Sequence, residues 1–250
     1  MPPTAVAVIP ARFAASRFPG KPLVSIHGIP MLERVIAGVR SAKRVRTTIV
    51  ATDDRRIADL ARACGAEVVM TSPSHATGTD RVAEVARTLD DEIIVNVQGD
   101  EPLIEGFVID AGVDALVAEP ATPMATVVDS AAVGALDDPN RVKVVLDRRG
   151  FALYFSRSPI PARRDADADP PLWQHVGLYA YRRAFLLDYV LLPQTPLERS
   201  EALEQLRALE HGYPIRVAVI EGWESLPVDV PADVARVEAA LAARAGRCAC

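Results

Sequence analysis

The sequence has no hydrophobic run long enough to cross a membrane. Apolar stretches such as Ile93 to Val97 are strand length, far below the roughly 18 residues that a spanning helix needs. The N-terminus has no charged segment leading into a long apolar core, so no signal peptide is expected. Cysteine is scarce: Cys64, Cys248 and Cys250 are the three present. Three cysteines make no disulfide framework, and a reducing cytoplasmic setting is expected. Cys248 and Cys250 form a C-x-C at the end of the chain. Zinc there needs a second ligand pair, which is not spaced for it, so a tail with free thiols is expected. Basic residues are not in excess. There are 28 Lys and Arg against 33 Asp and Glu, for a net charge of −5, which speaks against nucleic acid as a partner. A small anionic substrate stays open, because local Arg and Lys can outweigh the mean. G-x-x-x-x-G-K-[ST] and G-x-G-x-x-G are both missing, which excludes a Walker A loop and the dinucleotide fingerprint.

What is there is ordinary globular material. The 250 residues are half apolar, enough to bury a real core. Ala5 to Ile9, Thr47 to Ala51, Glu67 to Met70 and Glu92 to Val97 read as buried parallel strands. Helical patterns alternate with them. Leu32, Val35, Ile36 and Val39 mark one, and Ile57, Leu60, Ala61 and Cys64 a second, capped by Asp53 and stopped by Gly65. Val82, Val85, Ala86 and Leu89 mark a third. This alternation predicts an α/β fold, a Rossmann-like, mostly parallel but mixed sheet with helices on both faces. Ligands of such sheets bind beyond the carboxyl ends of the strands. The loops 10–22, 71–81 and 98–102 are therefore expected on one rim.

The second half changes character. Residues 141–147 and 151–155 read as a β-hairpin, His175 to Tyr181 and Ile215 to Ile220 as strands, and Pro231 opens a last helix. Thr195, Pro196 and Glu198 start a helix expected to run to about His211, with Leu203, Leu206 and Leu209 on its core side and Glu204 and Gln205 on its solvated side. No linker separates two domains. A single domain over residues 1–245 is expected, with a first half (1–120), an insertion and extension on it (121–215) and a tail (246–250).

Two loops carry chemistry. Arg12, Arg17 and Lys21 follow the first strand in a short loop with Pro19 and Gly20. Two guanidiniums and an ammonium there either neutralise a triphosphate or are three solvated surface charges. Asp100, in Gln98-Gly99-Asp100-Glu101-Pro102, follows a buried strand. That is where a Mg²⁺ ligand would sit, since Mg²⁺ takes one or two carboxylates and fills its shell with phosphate and water. A helix N-cap is the alternative.

These loops in this order resemble the sugar nucleotidyltransferases. Downstream, Val142 to Asp147, Ala152 to Arg157, His175 to Tyr179 and Leu203 to Arg207 are similar to the 3-deoxy-manno-octulosonate (Kdo) cytidylyltransferases. The resemblance covers residues 5–240, and it implies that residues 1–120 are the nucleotide-binding half and 121–215 an insertion for sugar binding and dimerisation. It implies a cytoplasmic, homodimeric, Mg²⁺-dependent enzyme joining CTP and Kdo into CMP-Kdo and pyrophosphate for lipopolysaccharide synthesis; 8-amino-Kdo or another acidic sugar is the alternative substrate. It implies that Ala11, Arg12, Arg17, Lys21, Thr77 and Arg81 bind the nucleotide. Lys21, Arg12 and Asp100 would be catalytic, and Asp100 and Asp229 would hold the metal. Gln98, Arg157, His175, Tyr179, Glu204 and Gln205 would line the sugar pocket. Read without the resemblance, His175 is an ordinary satisfied histidine, Tyr179 a packing residue and Arg157 a solvated strand end.

The chain departs from the family pattern before its last helix. Val-Asp-Thr-Pro is usual there, and this chain reads Val228-Asp229-Val230-Pro231. Asp165, Asp167 and Asp169 also alternate in a loop expected to form a rim. An apolar residue in place of a capping Thr costs roughly 0.5–2 kcal/mol. Val230→Thr is therefore expected to raise the melting temperature without changing substrate preference. A lower melting temperature in calorimetry would refute this.

Overall fold

The computed structural model describes residues 4–14, 18–130, 137–162, 164 and 170–248. Arg17, the aspartates 165, 167 and 169, and Cys250 lie outside them. In chain order the elements are β1 (Ala5–Ala11), β2 (Ser25–Ile26), β3 (Ile29–Pro30), α1 (Met31–Arg40), β4 (Val45–Thr52), α2 (Arg55–Ala63), β5 (Glu67–Met70), α3 (Gly78–Ala86) and β6 (Ile93–Asn96). There follow α4 (Gly106–Ala118), β7 (Met124–Ser130), β8 (Lys143–Leu146), β9 (Ala152–Ser156), β10 (Trp173–Arg182), α5 (Arg183–Tyr189), α6 (Pro196–Glu201), α7 (Leu206–Glu210), β11 (Ile215–Ile220) and α8 (Ala232–Cys248). The fold is α/β with a mixed, mostly parallel pairing. It forms two compact units, residues 2–109 joined by 225–250, and residues 110–224.

In the first unit four strands pair in parallel in the order β6-β1-β4-β5. β1 has neighbours on both sides: Ile9 lies opposite Val50 of β4, and Val8 opposite Asn96 of β6. Ala5 to Ile9 are fully buried, as a central parallel strand requires. The apolar stripe of α1, Leu32, Val35, Ile36 and Val39, is buried as its spacing predicts. One capping assignment differs in detail. Asp54, not Asp53, caps α2 and accepts the N–H groups of Arg56 (2.9 Å) and Ile57 (3.4 Å). Either aspartate has the chemistry for the cap; Asp53 is taken by the Arg81 guanidinium at 3.2 Å. Thr77 and Asp80 form a reciprocal capping box at the start of α3.

In the second unit β7 pairs with β11 in parallel and with β10 in antiparallel, and β8 and β9 form the expected hairpin. The helix expected from Thr195 to His211 is two helices. Ala202 sits in left-handed backbone (φ 50°), which ends α6 and redirects the chain into α7. The break turns Gln205 inward, so it is buried rather than solvated. The short β2–β3 ribbon, α4, β7 and α5 have no counterpart among the elements expected from the sequence.

α1 also carries a steric constraint. A Cβ at Gly38 would lie 2.1 Å from the Ile104 carbonyl oxygen. Gly38→Ala is expected to cost about 1–3 kcal/mol by overpacking and to lower the melting temperature by several degrees. A stabilised variant, as the helix propensity of Ala alone would give, would contradict this packing.

Candidate active site

Within the first unit, the loops after β1, β5 and β6 converge on one cleft of about 260 Å³. Ala11, Arg12, Lys21, Thr77, Arg81, Gln98, Asp100 and Asp229 all line it. Gln98, expected on the sugar side, thus shares a cleft with the nucleotide candidates. Its position follows from β6: Gln98 Nε2 reaches Asn96 Oδ1 (3.4 Å), and buried Asn96 in turn reaches Thr79 (3.4 Å).

The centre of the cleft is an ion cluster. Lys21 Nζ donates to Asp100 Oδ2 at 2.8 Å and lies 3.6 Å from Asp229 Oδ1. Gly20 delivers Lys21 with a backbone φ of 75°, and its N–H bonds the Phe13 carbonyl (2.8 Å). Phe13 is held in turn by the Arg56 guanidinium, 3.5 Å from its ring centre. Asp229 is placed at the entry to α8, where Asp233 accepts the N–H groups of Asp229 (2.8 Å) and Val230 (3.0 Å). This is half of a capping box; Val230 supplies no hydroxyl for the other half.

The two carboxylates suit a magnesium ion. They are hard oxygen donors that already share one cation, the Lys21 ammonium, and Mg²⁺ needs only one or two protein carboxylates. No group of three or more His, Cys, Asp or Glu clusters as a metal site among the described residues.

Two other candidates are partly committed. Arg81 is buried and donates to Thr71 Oγ1 and Asp53 Oδ2. The Thr77 hydroxyl donates to Asp80 Oδ2 at 3.0 Å. Arg81 braces the cleft wall and Thr77 anchors α3 beneath it. His75, also on the cleft, bonds Glu84, and that bond holds the Glu84 carboxyl below its usual range.

The second unit gathers the remaining candidates along a chain of rings. Phe155 meets His175 edge-on at 5.1 Å, His175 meets Tyr179 at 5.3 Å, and Tyr181 links Tyr179 to Tyr189. The Tyr189 hydroxyl donates to the Glu204 carbonyl at 2.6 Å. The neighbouring Gln205 Nε2 is buried without a hydrogen-bond partner among the described residues, an arrangement that folded proteins avoid unless something else completes it. Beneath it, Arg207 and Glu198 form a buried, two-pronged ion pair (2.8 and 2.5 Å) that fixes α7 on α6. Arg157 donates to the carbonyls of Glu201 (2.7 Å), Pro139 (3.0 Å) and Ala202 (3.3 Å). Those three bonds leave two of its five N–H groups.

A family model described as cytidylyltransferase matches residues 6–218. The chain belongs to the cytidylyltransferase family. Within it, the chain is 53% identical over 244 residues to the 3-deoxy-manno-octulosonate cytidylyltransferase of Syntrophotalea carbinolica, covering 94% of this chain and 97% of that one. It is 54% identical over 238 residues to that of Solibacter usitatus, covering 95% and 94%. A solved structure of CMP:2-keto-3-deoxy-manno-octonic acid synthetase complexed with CTP superposes with a TM-score of 0.90 at 40% identity, over 96% of this chain and 99% of that one.

In this cytidylyltransferase, three residues that the sequence reading passed over hold the site candidates. Glu101 bonds Ser225 and Leu226. Glu201 receives Ser156 Oγ (2.7 Å) and the Arg157 N–H (2.9 Å). Thr126 orients His175: its hydroxyl donates to the Leu178 carbonyl at 2.6 Å, so at the 2.9 Å contact with His175 the Nε2–H must be the donor. Nδ1 is then an acceptor. Only Glu101 stood in a motif quoted for function; the other two act through contacts across the fold.

Burial pushes the His175 pKa down from 6.5 to about 3, and burial with Tyr189 and Glu204 nearby pushes the Tyr179 phenol up. Both rings are neutral at physiological pH. For His175 the unfolded chain binds a proton that the fold refuses, so its contribution is complete above pH 6.5 and is lost as pH falls toward 3. Denaturation from pH 7 to 3 is expected to show a shallower loss of stability for His175→Asn than for wild type. Equal slopes would exclude an imidazole that the fold holds neutral.

Proposed function

We propose that this chain transfers the cytidylyl group of CTP to Kdo, releasing pyrophosphate and forming CMP-Kdo. The observation that carries the reading is the Lys21 ammonium set between Asp100 and Asp229 in the cleft, in a chain that matches a CTP-complexed synthetase along nearly its whole length. The anomeric oxygen of the sugar bonds the α-phosphorus, and its proton passes to solvent water. The bond from the α-phosphorus to the bridging oxygen breaks, and that oxygen leaves with pyrophosphate.

The protein holds the reactants and offsets charge. Arg12 and Lys21 lie where the triphosphate negative charge needs counter-charge, and Arg17 belongs with them by resemblance. Asp100 and Asp229 would hold Mg²⁺, which when bound polarises phosphate oxygens and spreads the charge that develops on them. Lys21, paired with both carboxylates, keeps them from being two bare like charges before substrate arrives. On the sugar side, neutral His175 offers an acceptor at Nδ1, Tyr179 a hydroxyl, and Gln205 a donor with no partner among the described residues. Arg157 offers its remaining N–H groups to the sugar carboxylate. A cytoplasmic homodimer, feeding an activated sugar to lipopolysaccharide synthesis, completes the proposal; its support is the family resemblance of the sequence. No helix among the described residues is long and apolar enough to cross a membrane.

The test is pyrophosphate release with Mg²⁺, across CTP, UTP, GTP and ATP and across Kdo, 8-amino-Kdo and neuraminate. Release is expected to require CTP and Kdo together. Asp100→Asn and Asp229→Asn are each expected to abolish Mg²⁺-dependent turnover while far-ultraviolet circular dichroism stays native. Release with another acidic sugar in place of Kdo would overturn the sugar assignment, and near-normal turnover in either variant would remove that residue from the metal site.

A further inference from the structure

Asp100 and Asp229 come from distant parts of the sequence, yet their carboxylates share one ammonium. Something must hold the backbone that carries Asp229 in register with the loop that carries Asp100. The Lys21 side chain is a poor clamp, being a flexible four-carbon stem with a rotatable head. A direct backbone bond joins them, from the Val228 N–H to the Asp100 carbonyl at 2.9 Å. Beside it lies Glu101. One of its carboxylate oxygens accepts the Leu226 N–H at 3.0 Å and the other accepts the Ser225 hydroxyl. Both partners stand on the segment that leads into Asp229.

Glu101 is 7% exposed. Burying a carboxylate is costly unless its oxygens are bonded, and here the bonds go to a single segment. With each oxygen committed in this way, Glu101 is turned from the cleft while its neighbour Asp100 lines it. The segment has a second attachment independent of Glu101. Leu226 and Val228 pack in an apolar cluster with Ile26, Met31, Leu103 and Val237. The apolar cluster docks the segment; Glu101 sets its height and direction.

We propose that Glu101 is a positioning residue that aligns Asp229 with Asp100 and thereby sets how strongly the site couples nucleotide binding to a divalent cation. This rests on the reading that the two aspartates hold the cation. The readout is the CTP dissociation constant without sugar, measured by calorimetry with Mg²⁺ and again with EDTA; the ratio of the two is the metal coupling. A merely structural role would weaken both measurements together and leave the ratio alone.

Glu101→Ala is expected to fold, held by the apolar cluster, and to reduce the ratio about tenfold, the scale on which outer supports of metal ligands act. Glu101→Gln should keep most of the coupling, because its amide oxygen still accepts from Leu226 and its amino group can donate to Ser225. Should Glu101→Ala fail to fold, Ser225→Ala takes its place and is expected to lower the ratio in the same direction by a smaller factor. An unchanged ratio in Glu101→Ala, or in Ser225→Ala as its substitute, beside a collapsed ratio in Asp229→Asn overturns the positioning role and leaves the metal reading standing. A wild-type ratio near one, or one that survives Asp229→Asn, overturns the metal reading and this inference with it.

Discussion

Everything in the candidate nucleotide cleft is referred to the carboxyl end of β1. This strand pairs on both sides and buries Ala5 to Ile9 completely, so its position is over-determined by the sheet. The loop that leaves it must turn at Gly20 to return Lys21 to the cleft. The flanking strands supply the rest: β6 leads to Gln98 and Asp100, and β5 leads to the loop that ends at α3. A parallel sheet sends all these connections out of the same edge, and that shared direction makes a polar cleft out of loops that are far apart in sequence.

The two units handle polarity differently. The cleft keeps its charges paired and partly open to solvent, with the three side chains of its ion cluster between 15% and 39% exposed. The second unit sets His175 and Tyr179 among rings and keeps both uncharged, with the imidazole pKa near 3 and the Tyr179 phenol raised. Open, paired charge suits a polyphosphate whose own charge must be offset. Neutral donors and acceptors of fixed orientation suit hydroxyl groups, where an unmet partner carries the discrimination. Arg157 carries charge on that side, and three backbone carbonyls already occupy it.

Much of the fold was legible because its signals are local. Buried parallel strands announce themselves as short apolar runs, and α1 and α3 carry clear apolar stripes. The illegible parts depend on contacts at a distance. Asp53 and Asp54 are equally good caps in the sequence; the Arg81 guanidinium, 28 residues away, decides between them. The turn at Ala202 has no glycine to announce it, and missing it places Gln205 on the wrong side of a helix. α4 reads GFVIDAGVDALVA, too apolar all round to show a period. At the site, the motif around Asp100 was plain, yet nothing local distinguishes the carboxylate that faces the cleft from the one that faces the protein.

The grip of Glu101 on Ser225 also has a consequence in time. The two residues are 124 positions apart, so at roughly 5–20 residues per second a ribosome finishes the second about 6–25 s after the first. The strands β1, β4 and β6 are complete well before then. For that interval the nascent chain has Lys21 and Asp100 but neither Asp229 nor the segment that Glu101 holds. The cleft therefore closes late in synthesis, and a chain cut short between residues 100 and 229 carries β1, β4, β5 and β6, the strands that frame the site, while missing half of its paired carboxylates.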